Sequence, residues 1–282
     1  MLEPTHISII IVTFNPDNSI LKLLNSCLLL SSQIIVVDNG SKNSDIIKKE
    51  INQASDNIQF IPLEKNYGIG YAINRGIREI DFSSKKWVIT FDQDSLPPHD
   101  LLRYYDYVVT NENNIGLIGL NYSYYANIES SNKKIIYKKS LDQITSGLMH
   151  NTEIFKNVGL YNEKMFIDCV DFEYTLRVNR AGYKTITIEN KVLNHRIGNP
   201  KTVYFCGFKI ISMNHNSFRQ YFIVRNHIWL AKKYFRKYPF YILKKIYHLL
   251  VRIIKTILID DDKLKKITKI LLGIKDGIIY HM

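Results

Sequence analysis

Ile7–Thr13 reads ISIIIVT, and two later stretches repeat its character: QIIVVD at Gln33–Asp38 and WVITFD at Trp87–Asp92. Each is a short, continuous, β-branched run, as expected of a parallel strand buried on both faces. Turn residues follow, Asn15-Pro16-Asp17 after the first and Asn39-Gly40-Ser41 after the second. Between these runs, helical apolar spacing covers residues 19–30, 44–53 and 70–80, and a further strand pattern covers Ile58–Pro62. Strands alternating with helices predict an α/β unit with a mainly parallel sheet. Crossovers in such a unit are right-handed, and ligands lie at the carboxyl ends of the strands. Polar residues gather there: Thr13 and Asn15 after the first strand, Asp38 and Asn39 after the second, and Asp92, Gln93 and Asp94 after WVITFD. That rim is the expected seat of a nucleotide.

Downstream the pattern is mixed. Short strands are expected at 115–120, 135–138, 185–188 and 192–194, and helices at 152–157 and 170–181, the last closed by Gly182 as a C-terminal cap. From Ser217 the chain becomes helical, aromatic and basic. On a helical wheel over 240–259, Lys244, Lys245, His248, Arg252 and Lys255 fall within about 100° of arc; the remainder is largely apolar. Such a helix suits a membrane interface. The same pattern also fits a helix packed on the domain with its stripe in water. Net charge favours the interface: 38 basic against 26 acidic residues give +12, which draws polyanionic partners without choosing among them. Cys27, Cys169 and Cys206 form no CxxC pattern, so neither a disulfide framework nor a zinc site is expected. Met1–His6 carries no signal-peptide pattern, and no apolar run is long enough for a spanning helix.

Three segments carry chemistry. In Phe91-Asp92-Gln93-Asp94-Ser95, carboxylates at i and i+2 on a loop can converge on one hard divalent cation that grips a diphosphate. Asp168, Asp171 and Glu173 stand among Phe166, Ile167, Val170 and Phe172 at the start of a helix. The helix dipole accounts for acids there in part, but an acid in apolar surroundings is a candidate general base, with Arg177 as a partner for one of them. His195, in Asn194-His195-Arg196-Ile197-Gly198, adds an imidazole that Mn²⁺ or Mg²⁺ tolerates. Gly68-x-Gly70 follows a long loop rather than the first strand, and a nicotinamide reading of it is rejected.

The ordered set resembles a known family. It runs Thr13-Phe14-Asn15, Val37-Asp38-Asn39-Gly40-Ser41, Asn66-x-Gly68-x-Gly70 with Asn74-x-Gly76, Asp92-Gln93-Asp94-Ser95, Ser146-Gly147, Asp171-x-Glu173 with Arg177, Gly182-Tyr183, and His195. Over about residues 5–200 this is similar to the family 2 inverting glycosyltransferases of GT-A fold. Asp-Gln-Asp-Ser, together with Arg219-Gln220-Tyr221 to Arg225-Asn226, resembles bacterial rhamnosyltransferases of O-antigen and related surface polysaccharides. The resemblance implies a GT-A, Rossmann-like domain at 1–200, with a nucleotide-sugar half at 1–115 and an acceptor and catalytic half at 116–200. A helical, basic extension at 201–282 follows. Thr13 and Asp38 would contact the nucleotide, Asp38 reading a pyrimidine base. Asn66 and Asn74 would line the donor pocket together with Gly68, beside the rim residues Asn15, Asp92 and Gln93. Asp94 would hold Mg²⁺ or Mn²⁺, helped by Asp92 and His195. Asp171 would be the base, although Val170 stands where the family often has an acid. Ser146, Gly147, Glu173, Arg177 and Arg225 would serve the acceptor or the diphosphate.

The implied reaction is a single displacement from dTDP-β-L-rhamnose to a lipid-linked glycan, carried out peripherally on the cytoplasmic face of a bacterial membrane. An anionic membrane surface is an expected partner and nucleic acid is not. Two other readings stay open: a transferase of the same fold using a UDP-hexose, and a non-enzymatic nucleotide- or nucleic-acid-binding protein favoured only by charge.

Overall fold

The structure is a computed structural model that describes residues 2–17, 20–55, 57–122, 134–195, 201–205 and 208–282. It divides into two compact units, Met1–Glu163 with Asp171–Arg196, and Lys164–Val170 with Ile197–Met282.

In the first unit the strands are β1 (Ile7–Thr13), β2 (Gln33–Asp38), β3 (Ile58–Pro62), β4 (Trp87–Asp92), β5 (Ser95–Leu96), β6 (Ile115–Tyr122), β7 (Tyr137–Lys139), β8 (Leu148–Asn151) and β9 (Lys184–His195). The helices are α1 (Ile20–Leu28), α2 (Ser44–Ala54), α3 (Ile69–Ile77), α4 (Leu101–Asn111), α5 (Glu153–Asn157) and α6 (Val170–Arg180). One sheet takes the order β3-β2-β1-β4-β8-β6-β9-β5, with β7 beside β9. The first four strands in that order are mutually parallel, as the β-branched runs predict. β8 enters antiparallel to both β4 and β6, which makes the sheet mixed.

Register sets the rim. Thr13 pairs with Asp38 across β1 and β2, and Val12 pairs with Asp92 across β1 and β4. The polar ends of three strands thus fall level. The strands expected at 185–188 and 192–194 are one strand, β9: its register against β6 jumps from Leu120–Ile188 to Asn121–Val192, so a bulge interrupts the alternation that a sequence reading relies on. The core lies between sheet and helices. α1 buries Ile20, Leu23, Leu24 and Cys27 at helical spacing, and all of β1 is buried. Burial raises the Cys27 thiol pKa, which leaves it a small hydrophobe. Cys206 lies outside the described residues.

The second unit holds a hairpin, β10 (Lys201–Phe205) with β11 (Phe208–Ser212), and three helices, α7 (Ser217–Tyr234), α8 (Pro239–Ile259) and α9 (Lys263–Ile279). The sequence reading finds the helices but not the hairpin, whose five-residue arms are too short to show a period. Gly273 and Gly277, four apart on one face of α9, let its backbone approach α7: a Cβ on Gly273 would stand 2.7 Å from the Tyr221 carbonyl oxygen. A buried ion pair closes the other end, with Lys266 Nζ 3.0 Å from Asp260 Oδ2 and 2.6 Å from Asn214 Oδ1. α8 has three faces. Ile242, Leu249, Thr256 and Ile259 are buried. Lys244, Lys245, His248, Arg252 and Lys255 form the basic stripe. Phe240, Leu243, Tyr247, Leu250, Ile254 and Leu258 make an exposed apolar ridge, Phe240 being 87% exposed. Among the described residues no helix is long and apolar enough to cross a membrane.

Behind the sheet, His150 on β8 is wholly buried among Phe155, Tyr161 and Tyr174. Its Nδ1 faces the Val88 carbonyl at 3.0 Å, so that nitrogen carries the proton and Nε2 accepts from the Tyr161 hydroxyl at 2.7 Å. Burial lowers the imidazole pKa from 6.5 to about 4. Above pH 6.5 the ring is neutral in both states; below it the unfolded chain takes up a proton that the folded ring refuses until about pH 4. Stability is therefore expected to fall through this window, by on the order of 3 kcal/mol from this group at its lower end. Chemical denaturation between pH 7 and 4.5 checks this: His150→Gln should flatten the slope, and an unchanged slope contradicts the assignment.

Candidate active site

The rim is a connected polar network. Thr13 and Asp38 are both fully buried, and Thr13 Oγ1 donates to Asp38 Oδ1 at 3.0 Å. Asp38 also accepts from the Ser41 backbone N–H at 3.2 Å and from the Ser41 hydroxyl. Ser41 Oγ in turn accepts from the Asn15 N–H at 2.7 Å, and Asn15 Oδ1 accepts from the Lys42 N–H at 2.9 Å. Gln93 joins the β4 loop to the same place: its Oε1 accepts from the Phe14 N–H at 2.6 Å and its Nε2 donates to the Phe14 carbonyl at 3.3 Å. The side chains of Thr13 and Asp38 thus lie beneath the rim and hold it, while exposed Asn15 and half-buried Ser41 and Gln93 form its surface. Thr13, expected at the nucleotide, is thus a buried residue bonded to Asp38.

The next loop is locked to this one. Asn39 Nδ2 donates to Asn66 Oδ1 at 3.0 Å, and Asn39 Oδ1 accepts from the Tyr67 N–H at 3.0 Å. Asn66 Oδ1 also accepts from the Gly68 N–H at 2.9 Å, where the chain turns into α3. Gly40 permits the approach: at φ 83°, a Cβ there would stand 2.4 Å from the Lys65 carbonyl carbon. Asn74 is buried and engaged elsewhere. Its Oδ1 accepts from the Tyr161 N–H at 2.9 Å, and its Nδ2 donates to the Tyr161 carbonyl and to Glu163 Oε1, each at 2.9 Å. It anchors the Tyr161 loop.

Asp92 ends β4 half-buried and Asp94 is exposed. Thr145 Oγ1 is 3.4 Å from Asp92 Oδ1. Ser146 is buried, with its Oγ accepting from the Asp92 N–H at 3.1 Å and donating to Ser95 Oγ at 2.6 Å. Gly147 donates its N–H to the Thr90 carbonyl at 2.8 Å, and its own carbonyl accepts from the Tyr105 hydroxyl at 2.6 Å. Ser146 and Gly147 therefore buttress the Asp92 loop from behind. The β5–β9 register pairs Ser95 with His195, bringing that backbone next to Asp94. The His195 imidazole, and Arg196, Ile197 and Gly198, lie outside the described residues. Among the described residues no group of three or more His, Cys, Asp or Glu is placed to hold a metal ion. Two carboxylates one residue apart at a strand end nevertheless fit Mg²⁺ or Mn²⁺, which takes one or two protein carboxylates and completes its shell with phosphate oxygens and water.

Tyr161 feels the charge of both Asp171 and Asp92. Its phenol pKa is raised well above 10, first by burial, then by Tyr174, by Asp171 and, after the opposing Arg177, by Asp92. Both carboxylates are thus within electrostatic reach of one hydroxyl. Asp171 is half-buried in the first turn of α6, with its Oδ1 accepting the Phe172 N–H at 2.8 Å. Glu173 points the other way: it is fully buried and paired with Arg177, whose Nη2 lies 3.1 Å from Glu173 Oε2. Arg177 also donates to the Val158 and Leu160 carbonyls at 2.9 and 2.7 Å. Arg225, in the second unit, is buried and donates to the Lys164 carbonyl at 2.8 Å. Glu173, Arg177 and Arg225, expected to serve acceptor or diphosphate, are each bonded within the fold. Tyr161, Thr145 and Ser41 are the functional neighbours that a sequence reading misses. Ser41 stands in a motif, but Tyr161 and Thr145 carry no local signal.

Residues 8–169 match the family model of glycosyl transferase family 2. The chain is similar to the dTDP-rhamnosyl transferase RfbF of Shigella flexneri, at 31% identity over 97% of this chain and 96% of that protein. Among solved structures it is similar to the mannosyltransferase PcManGT of Pyrobaculum calidifontis in complex with GDP-Man and Mn²⁺. That match has a TM-score of 0.63 at 14% identity, covering 98% of this chain and 76% of that one. It is also similar to S. aureus TarS 1–349 in complex with UDP-GlcNAc, with a TM-score of 0.56 at 14% identity, covering 96% and 80%. The chain belongs to glycosyl transferase family 2 and has the GT-A fold.

The Glu173–Arg177 pair separates a fold role from a ligand role. Glu173→Ala leaves a guanidinium uncompensated, and about 3 kcal/mol of stability is expected to be lost. Nucleotide affinity at ambient temperature should hold. Denaturation and nucleotide titration of the same variant check this, and loss of affinity without loss of stability contradicts it.

Proposed function

We propose that this family 2 member is an inverting rhamnosyltransferase that takes dTDP-β-L-rhamnose as donor. The observation that carries the reading is the relative named a dTDP-rhamnosyl transferase, matched over 97% of this chain. The rim of Asn15, Ser41, Asn66 and Gln93, with Asp38 beneath it, is the nucleotide seat in this reading, within a donor half at 1–115. Asp92 and Asp94, helped by His195, hold the divalent cation. Bound there, the cation neutralises charge developing on the departing diphosphate.

In the transfer, Asp171 accepts the proton of an acceptor hydroxyl. The oxygen then bonds to the anomeric carbon as the carbon–oxygen bond to the nucleoside diphosphate breaks on the opposite face, and configuration inverts to the α-rhamnoside. Tyr161 is fixed by Asn74 and His150. A UDP-sugar donor is the second reading, favoured by the likeness to TarS in complex with UDP-GlcNAc. Asp171→Asn keeps shape and removes the proton acceptor, so turnover is expected to fall roughly 10²–10⁴-fold with donor affinity unchanged. Asp94→Ala and exhaustive EDTA should each abolish donor turnover. Near-normal rates in Asp171→Asn, or full activity after EDTA, contradict the respective assignments.

The acceptor in this reading is a lipid-linked glycan of O-antigen type, met at the cytoplasmic face of a bacterial membrane. The ridge of Phe240, Leu243, Tyr247, Leu250, Ile254 and Leu258, bordered by the basic stripe, supports interfacial binding. Lys255 donates to the Ile211 carbonyl at 3.2 Å; Lys244, Lys245 and Arg252 are the cations to test. Replacing those three by Gln should weaken binding to anionic vesicles by roughly two decades at low salt, at about 1 kcal/mol per cation. Co-sedimentation reads this, and failure of the wild type to pellet with anionic vesicles contradicts it.

A further inference from the structure

At about 100° per residue, the apolar residues of α9 fall on two opposite faces. One face is buried: Ile270, Gly273 and Gly277, with Lys266. Its glycines lie against Tyr221, Val224 and Ile228 of α7. The opposite face carries Leu264, Leu271 and Ile278, each seven residues from the next, with Leu272 and Ile279 beside them. Leu264 is 82% exposed, and Leu271 and Ile278 are each 61% exposed. A single apolar side chain in water needs no explanation. A continuous row about 21 Å long does, because a helix packed on its own domain turns polar residues outward. Packing on α7 therefore accounts for one face of α9 and leaves the other without a purpose in the fold.

Charge decides what this face fits. Residues 201–282 hold seventeen lysines and arginines against four acids, a surplus larger than the +12 of the whole chain. Three of those acids are engaged within the unit: Asp260 with Lys266, Asp261 with Lys201, and Asp276 with the Tyr221 hydroxyl at 2.8 Å. The row is bordered by exposed Lys265, Lys269 and Lys275. A second copy would bring the same surplus against itself, and like charge opposes that association. A bilayer with anionic headgroups suits both features, since lysines meet the headgroups while leucine and isoleucine enter the acyl boundary. Ile223 and Val224 of α7, Leu249 of α8 and Ile270 of α9 share one small core, which joins α8 and α9 in one body. We propose that α9 is a second membrane-lying helix in addition to α8: its Leu264, Leu271 and Ile278 row enters an anionic bilayer, and Lys265, Lys269 and Lys275 meet the headgroups. The proposal deepens the interfacial reading of α8 and rests on it.

The test uses the full chain and vesicles of equal parts phosphatidylcholine and phosphatidylglycerol. Leu271→Gln with Ile278→Gln, both at exposed positions, should weaken binding at least about tenfold, the worth of one buried leucine. Lys265→Gln with Lys269→Gln should weaken it roughly 10–30-fold at low salt and less at high salt, which screens the attraction. A loss equal at both salt concentrations overturns the headgroup role. Depth is read with lipids brominated in the acyl chain, which quench tryptophan at the interface. Trp87 and Trp229 are buried, so the wild type sets the baseline. Leu271→Trp and Tyr247→Trp should each add emission that the brominated vesicles quench. Quenching at 247 without quenching at 271 overturns the role of α9 and leaves that of α8 standing. Quenching at neither position removes both. A dimer in vesicle-free buffer that Leu271→Gln dissociates overturns the proposal in favour of a second copy on this face.

Discussion

Everything at the candidate site depends on the in-register parallel ladder of β1, β2 and β4. Backbone hydrogen bonds align Thr13 with Asp38 and Val12 with Asp92, so three strands end at one level and their next residues share one rim. A shift of one residue would exchange the two buried faces of each strand and force both to repack. With Ile7, Ile9, Ile10 and Ile11 wholly buried, that shift is forbidden by the same apolar contacts that make the core. The polar network is built on this register: Thr13 bonds Asp38, Asp38 bonds Ser41, Ser41 bonds Asn15, and Gln93 draws in the β4 loop.

A second layer supports the Tyr161 loop. Asn74 on α3 grips both backbone groups of Tyr161, whose hydroxyl meets His150 on β8. Helix, loop and strand are thereby joined at Tyr161. Buried polar groups are costly unless satisfied, and here each bond satisfies a group that has left water. The candidate site is therefore held in shape by protein contacts.

How far this was legible in the sequence follows from the range of each signal. β1, β2, β3 and β4 are continuous apolar runs, and their ends name the rim directly. Asp92, Asp94 and Asp171 stand out because charge beside buried apolar residues is unusual. Residue type did not disclose partners. Asn74 sits in a family-like motif, yet its amide meets Tyr161, 87 residues away. Arg177 and Glu173 carry charges suited to a ligand but satisfy each other and two loop carbonyls. The β9 bulge broke one strand into two apparent ones, and the short β10–β11 hairpin left no period. Contacts distant in sequence decide all of these.

In the proposed reading the rim and the Asp92–Asp94 loop together hold a nucleotide sugar through a divalent cation. Thermal unfolding of the full chain with dTDP-β-L-rhamnose, with and without Mn²⁺, tests it most directly, because a ligand that binds only the folded state raises the midpoint by mass action. The account predicts a concentration-dependent rise that needs both components and disappears in Asp94→Ala. A rise of equal size without the metal, or none with dTDP-β-L-rhamnose or any UDP-sugar, contradicts it.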